Sequence, residues 1–158
     1  CYSMTSPDDA ATFSKPVDIT GTFERYRDEY EWKVIATGPG HGTQLDNGRL
    51  IVPVWLSDGT GGHAHRPSIV SVIYSDDHAK TWQRGDVVVR HPELKNPSET
   101  LAVQLSDGRV MLNIRNESSE HRRAVSYSNN GATGWTAPVF HNELVEPVCM
   151  GSMTRLTK

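Results

Sequence analysis

The chain of 158 residues is poor in cysteine, in positive charge and in long apolar runs. Its two cysteines, Cys1 and Cys149, leave the cellular compartment undetermined, and Cys149 is expected to be a small buried residue. A net charge of −3 argues against nucleic acid and anionic membranes as partners. No apolar run approaches the ~20 residues of a membrane-spanning helix. With 36% hydrophobic and 22% charged residues, the composition predicts a soluble globular domain.

A string that starts with serine and ends with an aromatic residue occurs three times. SPDDAATF covers residues 6–13, SDDHAKTW covers 75–82 and SNNGATGW covers 128–135. In the third copy Asn130 takes the Asp position and Gly134 the Thr position. Asp, Asn, Ser and Thr side chains stabilise turns by bonding nearby backbone groups, and the aromatic residue anchors the turn. Each copy, called an Asp-box here, is predicted to join two strands and to be structural.

A second repeat consists of QLDNGRL at residues 44–50 and QLSDGRV at residues 104–110, sixty residues apart. Asn-Gly and Asp-Gly between alternating apolar residues indicate tight hairpin turns. A hairpin combined with an Asp-box turn produces four antiparallel strands per repeat, which is the blade of a β-propeller. The predicted fold class is therefore all-β, and the predicted architecture is a β-propeller.

The repeats divide the chain into two complete blades flanked by two partial ones. The four parts are residues 1–20, about 34–90, about 97–141 and 147–158. Residues 12–20 are expected to be the last strand of the first part, and residues 148–156 the first strand of the last part. A propeller closes with at least four blades, so the chain is expected to be the central segment of a single, longer propeller domain.

Aligning the two complete blades separates structural positions from candidate functional ones. Three apolar pairs are expected in the core: Leu50 with Val110, Val52 with Leu112, and Val54 with Ile114. Glu99, in contrast, falls on Pro39, and Arg115 falls on Trp55. Since both lie eight residues from Asp107 of the hairpin turn, Glu99 and Arg115 are expected at the end of the hairpin away from that turn. Whether they share a face depends on the register, and a structural ion pair is an equal alternative to a functional one.

The Asp-boxes occur together with NPSETLAVQLSDGRVMLNIRNES, RRAVSYSNNGATGW and EPVCMGSM, and with GPGHGTQL and SVIYSDDHAKTW. In this combination the chain resembles the bacterial-type exo-α-sialidases (neuraminidases) over essentially its whole length. The resemblance implies a six-bladed propeller that hydrolyses terminal sialic acid on glycoconjugates with retention, using no cofactor and no metal. Sialylated glycans and the rest of its own propeller are the implied partners, and the implied location is extracellular or periplasmic.

The resemblance also implies roles for two residues. Glu99 matches the glutamate that activates a tyrosine nucleophile, and Arg115 matches the second of three arginines that bind the substrate carboxylate. The first arginine and an aspartate acid/base are expected before Cys1, and the third arginine and the tyrosine after Lys158. None of the five tyrosines present is a good substitute, so the segment alone is expected to be inactive. Ser98 departs from the acidic or amide residue of the family.

Two other functions stay open, because function is set by the site and not by the fold. A non-catalytic Asp-box propeller could bind glycans or proteins, and a trans-sialidase would share this segment.

Several polar residues near the candidate site are expected to have no role in it. The segment 63–65 has two histidines without a third ligand and is predicted to be a mobile loop. Arg66, Arg122 and Arg123 are predicted to be solvated ends of strands; the alternatives are that Arg66 lines the rim of the pocket and that Arg122 or Arg123 approaches the substrate. The glycosylation sequon at residues 116–118 is interpreted as a chance occurrence.

Overall fold

The computed structural model describes residues 1–156. It contains one five-residue helix, α1, and twelve strands within that range. The strands are β1 (Tyr2–Ser3), β2 (Val17–Asp18), β3 (Val34–Thr37), β4 (Thr43–Gln44), β5 (Leu50–Ser57), β6 (Ser68–Ser75), β7 (Gln83–Arg84), β8 (Val89–Arg90), β9 (Thr100–Gln104), β10 (Val110–Ile114), β11 (Arg122–Ser128) and β12 (Val139–Val145), and α1 spans Thr20–Glu24. Among the described residues, no helix has the length and apolar character that crossing a membrane requires.

Two antiparallel sheets correspond to the two predicted blades. The blade at about residues 34–90 is called blade B, and the blade at about residues 97–141 is called blade C. In blade B, β3 and β4 pair with β5, β5 pairs with β6, and β6 pairs with β7 and β8. Blade C has the order β12-β11-β10-β9. A third sheet pairs β1 with β2. The prediction of an all-β chain with two complete blades is confirmed.

The two hairpin turns form as the sixty-residue repeat predicts. The N–H of Gly48 donates to the Leu45 carbonyl at 2.8 Å, and the N–H of Gly108 donates to the Leu105 carbonyl at 3.0 Å. Both glycines have positive φ, +89° and +87°, a region that costs little for a residue without a Cβ. These turns fix the register of β4 with β5 and of β9 with β10.

The second Asp-box is held by its own side chains. Ser75 Oγ accepts from the N–H of Ala79 at 2.9 Å, and the Asp77 carboxylate accepts from the N–H and the hydroxyl of Thr81 at 2.9 and 2.7 Å. These hydrogen bonds, with one from Ser75, lower the pKa of Asp77 to about 2. The first box repeats the pattern through Ser6, Asp8 and Thr12.

The third Asp-box differs from its predicted alignment. Asn130 takes the Asp role as expected, but its Nδ2 donates to Thr133 Oγ1 at 2.8 Å, so Thr133 and not Gly134 takes the threonine role. The turn is therefore one residue tighter at this point. Gly134, with φ of +64°, accommodates the extra residue before Trp135.

The main core lies between the two blades and differs in detail from the predicted core. Val110, Leu112 and Ile114 are fully buried there and share one apolar cluster with Ile51. Leu50 and Val52 are only half-buried, contrary to expectation. Side chains alternate along β5, so Ile51 faces blade C, while Val52 lies on the opposite face and packs against the cluster that contains Phe23 and Tyr26. On that side Val54 is buried, as predicted.

The strands predicted at the two ends form only in small part. Within residues 12–20 the strand is limited to β2, and residues 148–156 contain no strand. A strand is defined by pairing with a neighbour, and β2 finds one in β1, whereas residues 148–156 pair with no strand in the described part of the chain. The prediction that Cys149 is buried is also wrong. Cys149 lies in this unpaired segment, and its side chain is exposed. The assignment of residues 1–20 and 147–158 to further blades stays a prediction.

Candidate active site

Glu99 and Arg115 face each other across β9 and β10. Ile114 pairs with Thr100, and the next pair of the ladder is held by the Arg115 N–H, which donates to the Glu99 carbonyl at 3.2 Å. Directly opposed residues of an antiparallel pair project to the same face. The Nε atom of Arg115 lies 3.3 Å from Glu99 Oε2. The two side chains therefore share a face, which the spacing alone left open.

The Arg115 guanidinium is held mainly by neutral oxygens. Nη1 donates to the Ser98 hydroxyl at 2.5 Å, and Nη2 donates to the Val148 carbonyl at 3.1 Å. Nε is buried, and although Glu99 is close, its N–H is not directed at the carboxylate well enough to form a hydrogen bond. Nη1 and Nη2 each use one of their two N–H groups within the described residues, and the second N–H of each is left without a protein partner there.

Glu99 is accessible enough to react with a bound molecule. About a third of its side chain, 31%, is exposed, compared with 19% for Arg115. Within residues 1–156 its carboxylate is paired with Arg115 alone and accepts no hydrogen bond from the protein. A carboxylate in this state can accept a proton from a group that enters the pocket.

The pair lies in a pocket of about 210 Å³ between the two blades. The opposite wall comes from Trp55 at the end of β5 and from the β5–β6 loop, which contributes His63, His65 and Arg66. Arg66 is exposed just before β6, as predicted for a solvated strand end, and it also lines the pocket, where its Nη2 forms an ion pair with Glu117 at 2.6 Å. The described residues contain no group of three side chains placed to bind a metal ion.

Glu117 is a second carboxylate in this pocket, and the sequence analysis missed it. Partial burial raises its pKa, but hydrogen bonds from Asn96 and Arg66 outweigh this effect and hold the pKa below the ordinary value. Glu117 is therefore ionised at neutral pH. The sequon that contains it is not a glycan acceptor, as expected, since Asn116 is fully buried and donates to the Ile114 and Arg122 carbonyls.

Arg123 lies opposite Arg115 on β11 and is buried, so the prediction of a solvated strand end is wrong for it. Ile114 pairs with Ala124, which places the two arginines at the next position of the ladder. Arg123 is 5% exposed, and its Nη1 forms an ion pair with Glu146 at 2.8 Å. Burial lowers the pKa of Arg123, the Glu146 charge opposes this, and the nearby Arg115 adds to the lowering.

Glu146, which the sequence analysis also missed, is completely buried. Its signal in the sequence was an acidic residue inside the EPVCMGSM stretch. Two oxygens of its carboxylate accept four hydrogen bonds, from the Arg123 guanidinium and from the backbone N–H groups of Asn116, Val148 and Cys149. A carboxylate has about four acceptor positions, so this one is saturated.

Two antiparallel blades, each with an Asp-box between two of its strands, enclose a pocket and define a propeller of the BNR class. The BNR repeat-like domain family matches residues 1–151 of the chain. A sialidase of Bacteroides fragilis (strain YCH46) is 28% identical over 148 residues, which are 94% of this chain and 25% of that protein. A sialidase of Micromonospora viridifaciens is 32% identical over 128 residues, covering 78% of this chain and 18% of its own length. The chain therefore belongs to the BNR repeat-like domain family, and it is similar to bacterial sialidases.

Solved structures show the same relationship. The Hadza microbial sialidase Hz136 superimposes with a TM-score of 0.72 and 28% identity, covering 93% of this chain and 26% of that protein. The intramolecular trans-sialidase from Ruminococcus gnavus, solved with oseltamivir carboxylate, has a TM-score of 0.68 and 26% identity, with coverage of 90% and 26%. The chain thus spans about a quarter of the length of these structures.

Proposed function

We propose that the chain carries part of the active site of an exo-α-sialidase, which removes terminal sialic acid from glycoconjugates with retention of configuration and without a cofactor. Glu99 activates a tyrosine nucleophile, and Arg115 binds the carboxylate of the sialic acid. The observation that supports this proposal best is the pairing of the two side chains on one face of a pocket, with Glu99 accessible and donors of Arg115 unused.

The charge of the substrate explains the need for both residues. Sialic acid carries its own carboxylate next to the reacting carbon, and a carboxylate nucleophile would be repelled by it. A tyrosine hydroxyl is neutral, and a nearby base increases its nucleophilicity. Glu99 would accept the phenolic proton when the tyrosine attacks the anomeric carbon, while the glycosidic C–O bond breaks and the departing alcohol takes a proton from the aspartate expected outside this segment. Water would then displace the tyrosine from the covalent glycosyl-enzyme, and Glu99 would return the proton to the phenolate. Two successive inversions account for retention.

The nucleophile is expected from another part of the propeller, since the tyrosines of this chain are unsuited to the role. Tyr26 is fully buried, and burial raises its pKa to about 12, which is opposite to activation. Tyr30 donates to the Pro67 carbonyl. Tyr74 and Tyr127 lie beneath the guanidinium groups of Arg49 and Arg109. Tyr2 is exposed on β1.

Arg115 is suited to an anion because its position is fixed before the anion arrives. A planar guanidinium can donate two parallel hydrogen bonds to a carboxylate, and this fixes the orientation of the sugar as well as its affinity. The contacts to Ser98 and Val148 limit the rotation of the guanidinium, so little side-chain entropy is lost on binding.

A glycan-binding propeller without catalytic activity is the second candidate. It is favoured by the direct contact between Glu99 and Arg115, which is also what a structural ion pair would show. Transfer to a sugar, in place of hydrolysis, would use the same two residues.

The function is tested by incubating the full-length protein with a 4-methylumbelliferyl α-sialoside and following the anomer of the released sugar by NMR. The proposal predicts release with the α-anomer formed first. Initial formation of the β-anomer contradicts retention, and no release by the folded protein favours the binding candidate. Release of an anhydro sugar or of a transfer product would identify a trans-sialidase.

A further inference from the structure

We propose that Glu146 is a positioning residue for Arg115: its buried carboxylate holds residues 146–149 in a turn whose Val148 carbonyl orients the guanidinium for binding an anionic substrate. This inference rests on the proposed function, because it assigns to Glu146 a share in recognition of the substrate carboxylate.

The buried carboxylate of Glu146 stabilises the turn at residues 146–149 by accepting hydrogen bonds from its backbone. Oε1 accepts from the N–H of Val148 at 2.8 Å and from the N–H of Cys149 at 3.3 Å. Oε2 accepts from Arg123 Nη1 at 2.8 Å and from the N–H of Asn116 at 3.2 Å. One oxygen thus organises the turn, and the other ties it to the two strands of blade C that end at the pocket.

The same carboxylate is linked to Arg115 on two sides. The Glu146 carboxylate accepts a hydrogen bond from the N–H of Asn116, and Asn116 directly follows Arg115 in the chain. The carboxylate also accepts a hydrogen bond from the N–H of Val148, and the Val148 carbonyl in turn accepts one from Arg115 Nη2 at 3.1 Å. Glu146 therefore fixes both the backbone beside Arg115 and one of the two acceptors that hold the guanidinium. It does not itself reach the pocket, so its effect must pass through Arg115.

The backbone conformation of Val148 is one that its hydrogen bonds impose. Val148 has φ of +60°, in the left-handed region that is unfavourable for a β-branched residue. Its side chain is 37% exposed, so packing of the side chain does not account for the conformation. The hydrogen bonds on its N–H and its carbonyl do account for it. Backbone strain of this kind persists where the surroundings over-determine it, and it is concentrated at functional sites.

The anion preference of Arg115 can be measured separately from overall folding. The inhibitor DANA carries a free carboxylate, and its methyl ester has the same ring with the charge removed. The ratio of the two affinities in the full-length protein reports how well Arg115 is placed. A general loss of structure would weaken both ligands and leave this ratio unchanged.

Two variants disturb the turn in different ways. Glu146→Gln replaces one acceptor oxygen by an NH₂ group, which would oppose two N–H donors. Val148→Pro removes the N–H group that donates to Glu146 and forbids a positive φ, and because the position is exposed the change leaves no cavity in the core. Thr81→Val, in an Asp-box distant in sequence from the site, serves as a control for a general loss of stability.

For Val148→Pro, and for Glu146→Gln where it folds, we expect DANA to bind about tenfold more weakly while the ester binds as before, the size expected for one charge-assisted hydrogen bond. KM for a sialoside should rise by a similar factor, with a smaller change in kcat. Thr81→Val should leave the ratio unchanged. A folded Val148→Pro variant with the wild-type ratio overturns the role of Glu146 and leaves the proposed function intact. A wild-type protein that does not prefer the acid over the ester contradicts the proposed function itself.

Discussion

Arg115 and Arg123 occupy facing positions on neighbouring strands, but their guanidinium groups have opposite environments. Arg123 donates to Glu146, to the Asn113 side chain and to the Cys149 carbonyl, and it is buried. Arg115 donates to two neutral oxygens and is 19% exposed at the pocket. The contrast indicates a structural role for Arg123 and supports the proposed binding role of Arg115.

Arg115→Ala is expected to lower kcat/KM for a sialoside by about 100-fold, because the loss of a bidentate, charge-assisted contact costs roughly 3 kcal/mol. Arg115→Lys keeps the positive charge but cannot donate two parallel hydrogen bonds, so it should give an intermediate loss of kcat/KM. Steady-state kinetics of the full-length protein, with thermal melting as a check on folding, measure both variants. Wild-type kcat/KM in Arg115→Ala would show that the residue is only part of an ion pair.

Arg123→Met is expected to destabilise the protein by about 3–5 kcal/mol, since it leaves Glu146 buried and without its counter-charge. Adding Glu146→Gln should cost less than the sum of the two single changes, because the second change removes the unpaired charge. Urea unfolding of both single variants and of the double variant measures this coupling. Additive free energies would show that the pair is not energetically linked.

The Asp-boxes should make the fold sensitive to acid. Hydrogen bonds lower the pKa of Asp77 in the folded state from 3.8 to about 2, so its contribution to stability is complete above the unfolded pKa and is lost as pH falls through the folded one. Asp77→Asn removes this titration, and Asn130 shows that an amide fits such a turn. Melting temperatures between pH 2 and 5 should therefore fall less steeply with acid in this variant. An unchanged slope would contradict the assigned cause.

Val148→Gly is expected to raise the free energy of unfolding by about 1 kcal/mol, because glycine adopts a φ of +60° without the penalty of a β-branched side chain. The greater freedom of glycine in the unfolded chain reduces the gain. Chemical denaturation at neutral pH measures the change, and Val145→Gly, in the exposed strand β12, provides a comparison that should be destabilising. A loss of stability in Val148→Gly would contradict strain at this residue.

The repeats were sufficient to predict the two blades and the distance of Glu99 and Arg115 from the hairpin turn. The spacing from the turn predicted that Glu99 and Arg115 lie at the same distance from it, whereas their position on one face is established by the strand pairing in the structure. The residue types in the turns were enough to predict the hairpins and this distance. The third Asp-box shows the limit, because Gly134 can be inserted before the aromatic residue without a visible break in the pattern.

The remainder of the site depends on contacts between distant residues. Arg123 is buried because Glu146 reaches it from beyond β12, across a register shift between β11 and β12. Arg66 lines the pocket because the β5–β6 loop folds back and its charge is matched by Glu117. Neither pairing follows from periodicity or from turn residues, since each needs the position of a loop that has no repeat partner.

The most direct test of the account is the turnover of a 4-methylumbelliferyl sialoside by the full-length protein, wild type compared with Glu99→Gln. Glu120→Gln, the same chemical change at an exposed residue outside the pocket, is the control. If Glu99 activates the nucleophile, kcat should fall by about 10²–10⁴-fold, the usual effect of a general base, while the affinity for DANA changes little and the control stays active. Wild-type kcat in a folded Glu99→Gln variant would contradict the account.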